Sequence, residues 1–469
     1  MKQTNFTRKK TISNVSNDPK PSNMSFGTKS YTMTINKELV DTLFSQFDES
    51  DITRLSIREV GRLVGQIEEQ SGQEFIHMEM GVPGLPALPI SITAEKEALD
   101  KGLATQYPHI EGIPFAKTEI ARFAGLFMNL EVSPVNCVPT VGAMQGSFAA
   151  LLAAARTNPD KPYTLFIAPG FPVNKSQLQL IGAPFKSFDI LHFRGEKLRD
   201  KLESFLAEGN ICSICYSSPN NPSWICYSEK ELQIIGELAT KYDVIVVEDL
   251  AYFGMDFRQH YGQPGIPPFQ PSVAHYTDNY ILLLSASKIF SYAGQRIGMM
   301  ITSEKLRTRH YPNLKNYFTS DMFGYFISYG VLYATTAGTS HSAQYALAAT
   351  LKAVNDGEID FVAMLHPYGE KAKIMKALFL KYGFYIVYND EDCELADGFY
   401  FTIAYPGMTS GELMKKFLYY GISAISLAIT GSENPNGLRA CVSFIRLDQM
   451  TILEDRLKAF ALEHSVLPV

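Results

Sequence analysis

Three short apolar runs, each closing on polar residues, constrain this chain more than any other feature. The run 211–216 leads into Ser217-Ser-Pro-Asn-Asn221-Pro-Ser223. The run 244–247 leads into Glu248-Asp249-Leu-Ala-Tyr252. The run 281–284 leads into Ser285-Ala-Ser287-Lys288, with Gly294-Gln-Arg296-Ile-Gly298 shortly after. Apolar runs of this length read as strands buried on both faces, the habit of parallel sheets. Ligands of an open α/β sheet sit outside the carboxyl ends of such strands. One sheet edge is therefore expected to receive an asparagine, an aspartate, a tyrosine and a lysine. Serine hydroxyls and a guanidinium suit a phosphate. A lysine in a partly desolvated pocket can lose its proton and attack a carbonyl.

The surrounding pattern agrees with a parallel sheet. From about residue 135 to 300, apolar runs (163–167 among them) alternate with helical patterns, which predicts βαβ units. The last 120 residues mix helices at 370–382 and 410–420 with strands at 399–403 and 440–445, which suits a smaller α+β unit. Nearer the N-terminus, 52–69 reads as one amphipathic helix, 75–80 as a strand, and 94–102 and 115–127 as helices.

Further short motifs stand in a fixed order around these strands. Thr140-Val-Gly142-Ala143-Met144-Gln145 opens a helix, where glycine and free N–H groups let a phosphate approach. Phe171 follows in Pro169-Gly-Phe-Pro172. Asn221 precedes Asp249 by 28 residues, and Asp249 precedes Lys288 by 39. Arg439 comes late, in Gly437-Leu-Arg-Ala. In this order and spacing the chain resembles the class I/II aminotransferases, pyridoxal-phosphate enzymes of fold type I, from about residue 75 onward.

The resemblance implies an α/β large domain with a mainly parallel, seven-stranded type of sheet flanked by helices, plus a smaller α+β domain. It divides the chain into a flexible arm (1–35), an N-terminal segment belonging to the small domain (36–109), the large cofactor-binding domain (110–345) and the C-terminal small domain (346–469). Lys288 is expected to form the Schiff base with pyridoxal 5'-phosphate and then to move the α-proton. Asp249 is expected on the pyridine nitrogen, Asn221 and Tyr252 on the ring oxygen, and Phe171 against the ring face. Gly142, Ala143, Met144, Ser285, Ser287 and Arg296 are expected around the phosphate. Arg439 would clamp the substrate α-carboxylate, with the Gly81 backbone closing over it and Asn221 alongside. Tyr107 would reach the phosphate of a partner subunit, implying a homodimer with shared sites. The chain departs from the pattern at Ser223-Trp224, where the family often has Thr-Gly.

The implied reaction moves an amino group from an L-α-amino acid to a 2-oxo acid. Two alternatives use the same cofactor, a β-lyase and a decarboxylase. A third, the non-enzymatic ligand-sensing domain of a regulator, is disfavoured because only about 50 residues precede the first helix. A formal net charge of −6 offers no field for nucleic acid or an anionic membrane. The uncharged run 322–338 is glycine-interrupted and reads as a core or interface helix rather than a membrane span. Its aromatic stripe (Phe323, Tyr325, Phe326, Tyr329, Tyr333) fits core or dimer interface better than a substrate pocket. The six cysteines are scattered; Cys212 and Cys215, inside a strand-like run, are not expected to hold a metal, and a reducing cytoplasm is expected.

Overall fold

The computed structural model describes residues 34–47, 51–389 and 395–464. The N-terminal arm, apart from its last two residues, and Cys393 lie outside them. In chain order the strands are β1 (Ile76–His77), β2 (Cys137–Thr140), β3 (Tyr163–Ala168), β4 (Phe185–Asp189), β5 (Ile211–Ser217), β6 (Ile245–Leu250) and β7 (Tyr280–Ser285). They continue as β8 (Gly298–Thr302), β9 (Tyr385–Ile386), β10 (Tyr400–Ala404), β11 (Ile422–Ser423), β12 (Ile425–Ser426) and β13 (Leu438–Cys441).

Seven of them build the large sheet, in the order β2-β8-β7-β6-β5-β3-β4. All neighbours run parallel except β8, which is antiparallel to both β2 and β7. The three strands read from the sequence are thus adjacent, with β6 in the middle. Ser217 pairs with Asp249, and Asp249 with Leu283. Every residue of β5 and of β7 is buried, as two covered faces require. Alternate residues go to opposite faces. Leu165, Ile214, Val246 and Leu282 pack with the main core, whereas Phe166, Val247, Ile281 and Leu283 pack with Phe323, Phe326 and Ile327.

A register shift between Tyr163 and Thr164 interrupts that alternation in β5. It brings Cys212 and Cys215 into one packed cluster despite their odd spacing, and both thiols are free and buried. Among the described residues no group of three or more His, Cys, Asp or Glu side chains is placed to hold a metal.

A four-stranded antiparallel sheet, β12-β13-β10-β9, forms the smaller unit, and β1 pairs in parallel with β11. The end of the arm reaches this unit through a hydrogen bond from Ile35 N to Tyr419 O (2.6 Å), and the N-terminal segment through one from Cys441 N to Met78 O (2.9 Å). Helix His341–Asn355 packs between Pro89–Asp100 and Pro114–Met128 and ties the segment to the large sheet.

One expectation needs correction and another gains detail. The single helix at 52–69 is two elements: a 3-10 turn at Ile52–Arg54, then the helix Ile57–Ser71. Ser56 and Glu59 form a capping box that starts the second, so the apolar period runs across a chain break in helicity. The run at 322–338 is helical but carries a π segment, Phe326–Leu332. Phe323 and Phe326 are buried, while Tyr325 and Tyr333 are exposed, so the aromatic stripe divides between core and surface. None of its five aromatics lines the cavity described next. No helix among the described residues is long and apolar enough to cross a membrane.

Candidate active site

A cavity of about 250 Å³ opens at the carboxyl ends of β5, β6 and β7. Its wall gathers Phe171, Asn221, Asp249, Tyr252, Ser285, Ser287, Lys288, Arg296, Ala143, Met144, Gly81 and Arg439. These residues come from eight separate stretches of sequence, and the sheet order brings them together.

Arg296 sits with its backbone in the left-handed region (φ 52°), in the loop between β7 and β8. Its Nη1 donates to Ser287 Oγ (3.3 Å) and to the Ala293 carbonyl (2.9 Å). Ser285 Oγ accepts from Ser287 N (3.3 Å), which folds the short turn carrying Lys288. Gly142 starts the helix Gly142–Ala154 and adjoins the wall. Its φ is 65°, and a Cβ there would come within 2.6 Å of Arg296 Nη2, so glycine meets both demands. Helix N–H groups, two hydroxyls and a guanidinium thus converge at one end of the cavity, the donor set a phosphate wants.

Lys288 lies half-buried with its Nζ on the Gly81 carbonyl and 5.3 Å from the centre of the Phe399 ring. Burial, reinforced by Arg439 and Arg296, lowers its amine to about 8. Asp249, next to last in β6, opens on the same cavity. Burial raises the carboxyl to about 6, although a bond from Ala251 N (3.0 Å) opposes the rise. Such a carboxylate gains most from a buried cationic partner presented by a ligand.

At the other end, Arg439 is almost wholly buried on β13. Its Nη1 donates to Asn221 Oδ1 (3.2 Å) and its Nη2 to the Glu79 carbonyl (2.6 Å), and Nε has no partner among the described residues. A guanidinium has five N–H donors; with Nε buried, one N–H on each terminal nitrogen remains for a ligand. Glu79 is itself fixed, since its carboxylate bonds Ser423 Oγ and His77 Nδ1 (2.9 Å for the latter). Burial opposes protonation of His77, but its bonds to Glu68 and Glu79 win and raise its pKa to about 10.

Asn220, not singled out in the sequence, shapes the turn. It donates to the Pro169 carbonyl (2.9 Å) and accepts from Ser223 Oγ (2.7 Å), so Asn221 faces the cavity. Trp224 (φ 61°) is buried edge-on to Tyr252 at 5.3 Å. Sequence reasoning also missed Ile57, Ser147, Asn174, Ala293 and Tyr400 in the wall. For Tyr400 the signal is the register of β10 on β13, which pairs Tyr400 with Cys441 and Thr402 with Arg439. No sequence pattern announces it. Tyr107 stands apart, 91% exposed and outside this cavity.

The family model for aminotransferase class I and II matches residues 75–391. A probable aspartate aminotransferase of Methanocaldococcus jannaschii is 27% identical over 52% of this chain and 61% of its own length. An LL-diaminopimelate aminotransferase of Natranaerobius thermophilus is 26% identical over 51% and 60%. The chain spans about six tenths of the length of the curated relatives it matches. Among solved structures, the aspartate aminotransferase of Thermotoga maritima superposes with a TM-score of 0.70 at 19% identity, over 88% of this chain and 98% of that one. An Escherichia coli protein described as a methionine aminotransferase gives 0.69 at 16%, over 88% and 100%. These structures share the fold expected from the sequence. The family match takes in the glycine loop, the three strand ends and the lysine turn together, and the chain belongs to the class I and II aminotransferase family.

Proposed function

We propose that this protein is a pyridoxal 5'-phosphate-dependent aminotransferase, moving the amino group of an L-α-amino acid to a 2-oxo acid. One observation carries the reading: a desolvated lysine opens into the same cavity as a buried aspartate and a phosphate-type donor set. The residues fit the cofactor. Ser285, Ser287, Arg296 and the helix start at Gly142, Ala143 and Met144 would hold its phosphate. Asp249 would face its pyridine nitrogen, Asn221 and Tyr252 its ring oxygen, and Phe171 its ring. When bound, this cofactor supplies an aldehyde and an electron sink. Lys288 would attach through Nζ and, once released, carry a proton to and from the substrate α-carbon. Arg439 would bind the α-carboxylate through its spare N–H groups, with Gly81 over it.

Several features support a homodimer in the cytoplasm. Tyr107 is exposed and free to enter a neighbour's site, as are Tyr325 and Tyr333 to pack there. The described cysteines are all free, which suits a reducing compartment.

The test is spectral. Protein loaded with pyridoxal 5'-phosphate should be yellow, and one of the common amino acids alone should convert it to the pyridoxamine form. Lys288→Ala should abolish colour and turnover. Pyruvate with ammonia release would instead indicate a lyase, and CO₂ release a decarboxylase. A colourless wild type, or a fully active Lys288→Ala protein, would overturn the assignment.

A further inference from the structure

Tyr400 joins the two ends of the cavity. Its hydroxyl lies 2.9 Å from the Tyr252 hydroxyl, and the Arg439 guanidinium carbon lies 4.5 Å from its ring centre. It is buried, and Trp224 packs edge-on against it at 6.0 Å and 64°. A Cβ built on Gly81 would overlap the Tyr400 hydroxyl, so Gly81 is the residue that lets this ring reach the site. Burial pushes the hydroxyl's pKa up, so it stays protonated and able to donate.

We propose that Tyr400 is a positioning residue that couples the carboxylate clamp to the ring-oxygen donor. A phenol has one proton and two lone pairs. If Tyr252 gives its proton to the cofactor's ring oxygen, the bond between the tyrosines runs from Tyr400 to Tyr252. Donation into Tyr252 polarises it and strengthens the bond it gives in turn. The same ring lies against one side of Arg439, while Asn221 and the Glu79 carbonyl hold its edge. The guanidinium is thereby fixed before substrate arrives, and a cation over an aromatic face gains some attraction as well.

This rests on the aminotransferase reading, and two variants separate the two roles of the ring. Tyr400→Phe removes only the hydroxyl. The anionic ring oxygen loses stabilisation, so the pH midpoint of the visible absorbance of cofactor-loaded protein should rise by about half a unit or more. Tyr400→Leu also removes the aromatic face. It should raise KM for the best amino acid of the screen about tenfold, with a smaller change in kcat, and Tyr400→Phe should recover most of that loss. A wild-type midpoint in Tyr400→Phe overturns the coupling, and remains decisive if Tyr400→Leu fails to fold. A wild-type KM in a folded Tyr400→Leu overturns the clamp role. Wild-type protein that takes up no cofactor would instead sink the aminotransferase reading itself.

Discussion

Lys288 has to present a neutral amine at a pH where a lysine is ordinarily charged. The cavity achieves this first through desolvation by burial and then through repulsion from the Arg439 and Arg296 guanidiniums. At pH 7 an amine with a pKa near 8 is about one-tenth neutral, against about one part in three thousand at the ordinary value. Attachment of pyridoxal 5'-phosphate should therefore speed up about tenfold per pH unit below 8 and level off above it. Stopped-flow absorbance measures this directly, and a rate still climbing at pH 10 would mean that the amine is not perturbed. Lys288, Asp249, Asn221 and Arg439 are legible in the sequence because each stands in a short run whose order and spacing restrict it. Tyr400 is not, because what brings it to Arg439 is the pairing of β10 with β13, and neither strand's own sequence names so distant a partner.

At the scale of elements, β3, β5, β6 and β7 of the large sheet are legible because unbroken apolar runs bounded by polar residues have few other uses, whereas β4, with Lys186 and Ser187 inside it, carries no such run. The helix boundaries are less so. Periodicity at 52–69 ignores the capping competition at Ser56, and nothing in an uncharged run tells a π segment from an ordinary helix. Connections between the two sheets are the least legible of all, and Asp189, at the end of β4, is one. Its carboxylate accepts from Tyr388 Oη (2.7 Å), Ser432 Oγ (3.2 Å), Glu433 N (2.9 Å) and Leu191 N (3.0 Å). Gly170 N donates to the Thr430 carbonyl nearby (2.9 Å), so the loop is held next to Phe171. Asp189→Ala strands two backbone N–H groups, those of Glu433 and Leu191, and leaves the buried Tyr388 hydroxyl with Ser432 Oγ alone. It should cost roughly 2–4 kcal/mol in urea unfolding and raise hydrogen exchange at 430–433. Unchanged exchange there would show that other contacts hold the loop.

The whole molecule adds what one chain cannot supply. If Tyr107 serves a neighbour's phosphate, Tyr107→Ala and Lys288→Ala defects lie in different chains of one site. Mixing the impaired Tyr107→Ala protein with the inactive Lys288→Ala protein under exchange should build one complete site per mixed dimer, and roughly a quarter of wild-type turnover in a statistical mixture. No recovery on mixing, with subunit exchange verified, would place Tyr107 outside the shared site. Trp224 has its own consequence at this scale. It is the only tryptophan among 469 residues, and it is buried against Tyr252 and Tyr400. All indole fluorescence of the protein therefore originates directly behind the Tyr252 and Tyr400 rings that line the cavity. A chromophore absorbing in the near ultraviolet or violet and seated there would accept that energy, so the emission of the unlabelled enzyme is a built-in gauge of what the site holds.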